Sequence, residues 1–382
     1  MNLFMLSAPY QIHSALEAIH HFRFDDNHLK IVDTGHFSRA QFDAVIDLRM
    51  WASIEYCDFR YRDVGVDFGE RRPVSLRERL LEAYLVLDRF LKRRRADRIA
   101  ANIGPLEALV LGNYRRDYDQ HMRHLACHLK YKELYVLDVG TDTLKISRER
   151  EADREGSPFP VWQPCGVFAK LKRSVKRAFL DWDVRGVPAL TFFTAYDFDP
   201  AGADRVVRND FAHSREMLNR AVNNDKVLFV GQPLVDQSYV SMETFKSVFQ
   251  YVREYFSGQT LIYVAHPRES ERQLKVVTDA GVDVQRFLVP FEFAIAFGGE
   301  RPKCIASFFS SALENCATIF GSSVSVRAFR LPEAVLFKER AEVAAVYRHF
   351  EECVSLSVDV VDMSPERIRR HICPPRACNL GN

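Results

Sequence analysis

Three short stretches of this sequence carry side chains able to do chemistry together. Asp138-Val139-Gly140-Thr141-Asp142 offers a carboxylate that can accept a proton from a hydroxyl, beside a glycine that lets another backbone come close. His266-Pro267-Arg268-Glu269 offers an imidazole that can hydrogen-bond or protonate a leaving phosphate near neutral pH, on a turn whose φ Pro267 fixes. Ser310-Ser311 opens an apolar helical pattern, where hydroxyls and unpaired N–H groups can hold a phosphate. Each stretch also has a plain structural reading. Asp138 alone is a turn or cap residue, His266 alone a satisfied loop histidine, and a serine pair before a helix an N-cap. Placement joins them: each comes directly after a strand-like run, and they stand in this order along the chain.

Those runs belong to a regular alternation of strands and helices. In the first half, strands are expected at Leu3–Leu6, Lys30–Asp33, Ala44–Leu48, Arg98–Ile103 and Glu133–Asp138. A long helix is expected from Leu76, where Ser75 and Glu78 form a capping-box pattern, and another over Arg115–Lys130. The second half repeats the theme, with strands at Lys226–Val230, Thr260–Ala265, Lys303–Phe308 and Val324–Phe329. Its helices are expected at Met242–Phe256, Ser270–Ala280 and Ser310–Phe320. The pattern predicts an α/β chain of two Rossmann-like domains facing across a cleft. The first is expected over 1–200 with an irregular insertion at about 148–190, the second over 201–362, and a tail over 363–382. In open α/β sheets ligands bind beyond the carboxyl ends of the strands, so the residues after each strand are the functional candidates.

Composition narrows the class. The 382 residues are 47% hydrophobic and 27% charged, enough apolar chain for two cores and too much for a disordered protein. A net charge of +2 gives no reason to expect a nucleic-acid partner. No apolar stretch approaches a membrane span, and the opening run Met1–Pro9 is too short for a signal peptide. The eight cysteines form no CxxC pair and no zinc spacing, as free thiols in a reducing cytoplasm would. There is no P-loop, no GxGxxG and no GxSxG elbow. Three Asp-x-Asp pairs, at 117/119, 181/183 and 197/199, are read as coincidence, and no metal is expected.

In this order the three stretches resemble the acidic-Gly, HP and serine-pair motifs of the bacterial sialyltransferase and polysialyltransferase families. Further short matches extend the resemblance over about 1–330. Ser7-Ala-Pro-Tyr-Gln11 with Ala15–Ile19 looks like the family's first strand and helix, and Gly112-Asn113-Tyr114 precedes a helix rich in histidine (121, 124, 128). Gly231-Gln232-Pro233-Leu234 looks like the link into the donor domain, and Pro290-Phe291-Glu292 like the segment whose Glu holds the nucleotide ribose. The resemblance implies a GT-B arrangement and a metal-free, inverting transfer from a CMP-activated sialic acid to a glycan hydroxyl. It implies Asp138 as base and His266 as the group assisting departure of CMP. Ser310 and Ser311 would hold the phosphate, with Pro267, Arg268, Gly231, Gln232 and Glu292 around the donor. Gln11, Asn113, Thr141 and Asp142 are candidates on the acceptor side. One position departs from the family: Val139 stands where it has a second acid. Either Asp138 is the base and Val139 packs inward, or Asp142 has taken the role. A CMP-Kdo transferase and a non-catalytic nucleotide- or glycan-binding relative are the alternatives.

Two basic stretches bear on partners. Lys170–Phe179 spaces Leu171, Val175 and Phe179 at helical intervals opposite Lys and Arg, as a helix lying on anionic lipid does. It would suit a cytoplasmic enzyme peripheral to the inner membrane, with a membrane-anchored glycan acceptor. Between Arg71 and Arg98, ten Arg and Lys stand against four Asp and Glu, read as a solvated helix end.

Overall fold

Strands that are apolar on both faces, separated by helices, must pair in parallel beneath two helical layers. The computed structural model shows this twice. It describes residues 1–60, 76–115, 120–138, 142–154, 182, 187, 189–353 and 357–363. The chain divides into two compact units between Asn209 and Asp210.

The N-terminal unit carries β1 (Asn2–Leu6), β2 (Asn27–Asp33), β3 (Ser53–Asp58), β4 (Leu106–Leu111), β5 (Tyr131–Leu137), β6 (Thr191–Thr194) and β7 (Arg205–Arg208). They lie in the order β3-β2-β1-β4-β5-β6-β7, and every pairing is parallel. Because β7 pairs with β6, residues up to Asn209 belong here, nine beyond the expected boundary at 200. In the C-terminal unit, β8 (Val222–Asn223) pairs only with β12 (Glu300–Arg301). The main sheet holds β9 (Lys226–Val230), β10 (Thr260–Val264), β11 (Asp283–Gln285), β13 (Cys304–Ser307), β14 (Ser325–Arg330) and β15 (Val358–Asp362). Its order is β11-β10-β9-β13-β14-β15, again all parallel. Counted from the first strand of each main sheet, both units begin 3-2-1-4-5-6, the doubly wound Rossmann order, so both are Rossmann-like. The order reverses between β1 and β4 in one unit and between β9 and β13 in the other.

Each sheet has its own core. In the C-terminal unit Phe229, Tyr263, Phe249 and Phe329 interlock, with Phe229 stacked on Tyr263 at 5.8 Å. In the N-terminal unit Leu109, Leu111, Val136 and Phe192 pack against Met122 and Leu125 of the helix Gln120–His128.

Two expected strands are not strands. Ala44–Leu48 lies between the helix Arg39–Asp43, which Ser38 caps, and a 3-10 turn at Leu48–Met50. The strand comes afterwards, at Ser53–Asp58, on the sheet edge where charged residues are tolerated. Arg98–Ile103 continues the helix Leu76–Asn102, because Ala96, Ile99, Ala100 and Ile103 recur at helical spacing against the core. The strand there is Leu106–Leu111, beyond Gly104-Pro105. Arg148–Arg154, expected to open an irregular insertion, completes the helix Asp142–Arg154. The expected helix Arg115–Lys130 is shorter, Gln120–His128. Ser75, Val139–Thr141 and Lys170–Phe179 lie outside the described residues.

Candidate active site

The carboxyl ends of β10, β9 and β13 bring three of the expected groups side by side. β10 and β13 flank β9, so the loops leaving them start about two strand spacings, roughly 10 Å, apart. His266 leaves β10 half-buried. Its Nδ1 accepts from the Arg268 backbone N–H at 3.1 Å, which assigns the ring proton to Nε2 and makes that nitrogen a donor. Burial, and then the Arg268 guanidinium, hold the imidazole below its ordinary pKa, so near neutral pH it donates as a neutral ring. Pro267 and Arg268 are exposed beside it.

The turn is held from beneath by Glu269, which is 5% exposed. Its carboxylate accepts from the His266 N–H at 2.6 Å, from the Tyr263 hydroxyl at 2.5 Å and from the Gln273 side chain at 2.5 Å. Burial pushes this carboxyl above its ordinary value, against the lowering by those hydrogen bonds. Gln273 also donates to the Gln232 carbonyl at 2.7 Å and accepts from the Val235 N–H at 2.9 Å, tying the loop after β9 to the same network. Gly231 is needed here: a Cβ would stand 2.3 Å from Glu269 Oε2 and 2.7 Å from the Tyr263 ring.

Gln232 bridges the switch point. Its Oε1 accepts from the Phe309 N–H at 3.1 Å and from the Ser307 hydroxyl at 3.3 Å, so its amide N–H groups point away from those donors. Ser310 caps the helix Ser311–Phe320 by accepting from the Ala312 N–H, and Ser311 is exposed on its first turn. Glu292, in the first turn of the helix Phe291–Phe297, reaches that helix: Asn315 donates to its Oε1 at 2.7 Å. The glutamate thus comes beside the serine-capped helix about one turn beyond Ser311. Sequence reasoning missed Glu269, Gln273, Tyr263 and Ser307. The usable signal was the acid three residues after His266, at the mouth of a helix capped by Ser270.

In the N-terminal unit Asp138 stands at the end of β5. Its Oδ1 accepts from the Thr143 hydroxyl at 3.0 Å, and its Oδ2 from the Thr194 hydroxyl at 3.1 Å and the Ala195 N–H at 3.0 Å. The half-buried carboxylate is thereby fixed between β5, β6 and the helix Asp142–Arg154. That helix is clasped lower down, where Arg150 makes a buried two-pronged pair with Asp204 at 2.7 and 3.0 Å. Asp142 is the first residue of the helix. Gln11 and Asn113 lie at this unit's switch point, turned inward. Gln11 is 1% exposed and accepts from the N–H groups of Ser7 and Ala8. Asn113 accepts from the N–H groups of Tyr114 and Arg115.

Residues 202–326 match the family model of the alpha-2,8-polysialyltransferases (POLYST), a stretch that holds Gly231, Gln232, His266, Glu292 and the serine pair. The chain is a glycosyltransferase, and its two Rossmann-like units are the components of the GT-B class. The resemblance to the bacterial sialyltransferase and polysialyltransferase families holds over residues 202–326. No curated protein matches the chain. Among solved structures it is similar to the E. coli heptosyltransferase WaaC with ADP-2-deoxy-2-fluoro heptose, at 11% identity and TM-score 0.42, over 92% of this chain and 99% of that one. It is also similar to Phytolacca americana UGT2 complexed with UDP-2fluoro-glucose and pterostilbene, at 11% identity and TM-score 0.45, over 97% and 89%.

Proposed function

We propose that the chain transfers a sialic acid, or a related nonulosonic acid, from its CMP donor to a hydroxyl of a bacterial surface glycan. The transfer proceeds with inversion and without a metal. The observation that carries this reading is the row of hydrogen-bond donors along the ends of β10, β9 and β13: His266 Nε2–H, the Gln232 amide and the serine-capped helix. A CMP donor carries a single phosphate, and donors of this kind with one nearby guanidinium, Arg268, suit its charge. Ser310 and Ser311 hold the phosphate. Glu292 takes the ribose hydroxyls through Oε2, since Asn315 occupies Oε1.

In the chemical step the acceptor oxygen gives its proton to Asp138 and bonds to the anomeric carbon. The bond from that carbon to the phosphate oxygen breaks, and CMP leaves with the electron pair. His266 stabilises the departing phosphate by a hydrogen bond from its neutral ring. In this reading the acceptor is a membrane-anchored glycan and the enzyme works on the cytoplasmic side.

The test is release of CMP from CMP-sialic acid and from CMP-Kdo, two CMP-activated 2-keto acid sugars, in the presence of glycan acceptors. We expect turnover with the sialic acid donor, and a loss of about 100-fold or more in His266→Ala. Turnover with CMP-Kdo alone would move the donor assignment. CMP binding with no turnover on any acceptor would make the protein a binding relative, and full activity in His266→Ala would remove the imidazole from the mechanism.

A further inference from the structure

The 27-residue helix Leu76–Asn102 turns a row of leucines to solvent. Leu76, Leu80, Tyr84, Leu87 and Leu91 are 75%, 64%, 36%, 54% and 56% exposed. At 3.6 residues per turn these five positions fall within an arc of about 80°, a single apolar row about 22 Å long. Two ion pairs flank this row. Asp88 pairs with Lys92 at 2.6 Å and Arg93 with Asp97 at 3.3 Å, with the two cations each only 13% exposed. Asp97 also meets His124 of the helix Gln120–His128 at 3.0 Å. A surface helix of a soluble enzyme normally keeps its apolar row inward, so this exposed row is built for an apolar partner.

The row does not end in polar neutrality. Arg94 and Arg98 continue it on the same face, both exposed. Arg98 makes no ion pair among the described residues. Arg95 and Arg98, with His28 and Lys30, line a cavity of about 540 Å³. That cavity lies at the amino ends of β1, β2 and β3, the opposite edge of the sheet from Asp138. A second copy of the chain fits this surface poorly. One row of five side chains falls short of the about 800 Å² each partner in a stable pair buries. Two such rows laid side by side would also bring unneutralised arginines into the contact. An anionic surface with an apolar interior answers both halves of the row.

We propose that this helix docks the protein on an anionic lipid bilayer. Leu80, Tyr84, Leu87 and Leu91 enter the boundary between headgroups and acyl chains, while Arg94 and Arg98 meet lipid phosphates at the mouth of the cavity. The inference stands on this helix alone and does not depend on the donor sugar.

The experiment is co-sedimentation of the full chain with phosphatidylcholine vesicles, with and without phosphatidylglycerol. The wild type should partition onto the anionic vesicles. Replacing Leu80, Leu87 and Leu91 by Gln should cut binding at least tenfold while leaving the circular dichroism spectrum and melting temperature unchanged. Arg94→Gln with Arg98→Gln should weaken binding to anionic vesicles by about fivefold per cation removed. Independently, the tryptophan in Leu87→Trp should shift its emission to the blue on adding anionic vesicles. The proposal is overturned by wild-type binding to neither vesicle, by full binding in the leucine variant, or by an unshifted Leu87→Trp. It is also overturned if wild-type protein elutes as a dimer that the leucine variant converts to monomer, which would make a second copy the partner.

Discussion

The two Rossmann-like units share a strand order and differ in what stands at the point where that order reverses. In the N-terminal unit the switch point is filled from within. Gln11 accepts the N–H groups of Ser7 and Ala8, the positions where such a fold offers donors to a phosphate, and its amide lies against Gly112. In the C-terminal unit the corresponding point keeps donors that have no partner among the described residues: the Gln232 amide, the His266 ring N–H and the hydroxyl and N–H of Ser311. The candidate acid of the first unit, Asp138, stands instead at the end of β5. One topology thus supplies two candidate ligand positions. Side chains of the loops decide which is used, by satisfying their own backbone or leaving it for a ligand.

The largest effect should come from separating the units chemically. Asp138→Asn should lower turnover by about 10²–10⁴-fold while CMP binding, measured by calorimetry, stays within about twofold of wild type. Equal loss of both would mean that the acid serves donor binding, and the division of labour would fall.

A smaller effect should distinguish the two switch-point glycines. A Cβ at Gly231 meets the Tyr263 ring and a carboxylate held by three donors, so Gly231→Ala should cost about 1–3 kcal/mol and weaken CMP binding. A Cβ at Gly112 meets the end of the Gln11 side chain at 2.2 Å, which can swing aside with loss of its cap. Gly112→Ala should therefore cost about 1 kcal/mol and leave CMP affinity unchanged. Reduced CMP affinity in Gly112→Ala would reopen the filled switch point as a ligand site.

A further effect is expected in acid. Burial, and then Lys92, hold His121 down to about 3, while burial, and then Arg93, hold His124 down to about 4, from an ordinary 6.5. The unfolded chain therefore binds protons first as the pH falls. The N-terminal unit should be fully stable above about pH 6.5 and lose stability progressively toward about pH 4 and below. All three tryptophans, Trp51, Trp162 and Trp182, belong to this unit, so the melting temperature seen by their fluorescence reports it. That temperature should fall between about pH 7 and pH 5, and more than the transition stabilised by CMP. An N-terminal transition insensitive to acid would show that these imidazoles do not titrate as placed.

Legibility in the sequence divides along the same line. The four strands and three helices expected in the C-terminal unit lie within a residue or two of their places, because short β-branched runs there are closed by Gly, Pro or a serine cap, while β11, β15 and the helix Arg340–Glu352 had no expectation. In the N-terminal unit Arg98–Ile103 reads as a strand when its isoleucines are taken by themselves, apart from the helical row running back to Ala96. His266 and the serine pair are visible because such residues at strand ends have a use. Glu269 and Gln273 are not, since an acid and an amide near a helix start usually face water. Glu269 is packed against the bare Gly231 just beyond the neighbouring strand, a contact between residues 38 apart in sequence that no local pattern carries.

The clasp between Arg150 and Asp204 also sets the order in which the protein can be made. The helix that helps hold Asp138 places a guanidinium in the interior, and its counter-charge is supplied 54 residues later. Until Asp204 has been synthesised, that interior would have to enclose a lone cation, which costs about 3–5 kcal/mol. A nascent chain ending at residue 200 therefore has its first unit almost complete in length and still lacks that counter-charge. A separately expressed N-terminal unit should therefore run through Asn209, so that Arg150 keeps its counter-charge and β7 its place beside β6.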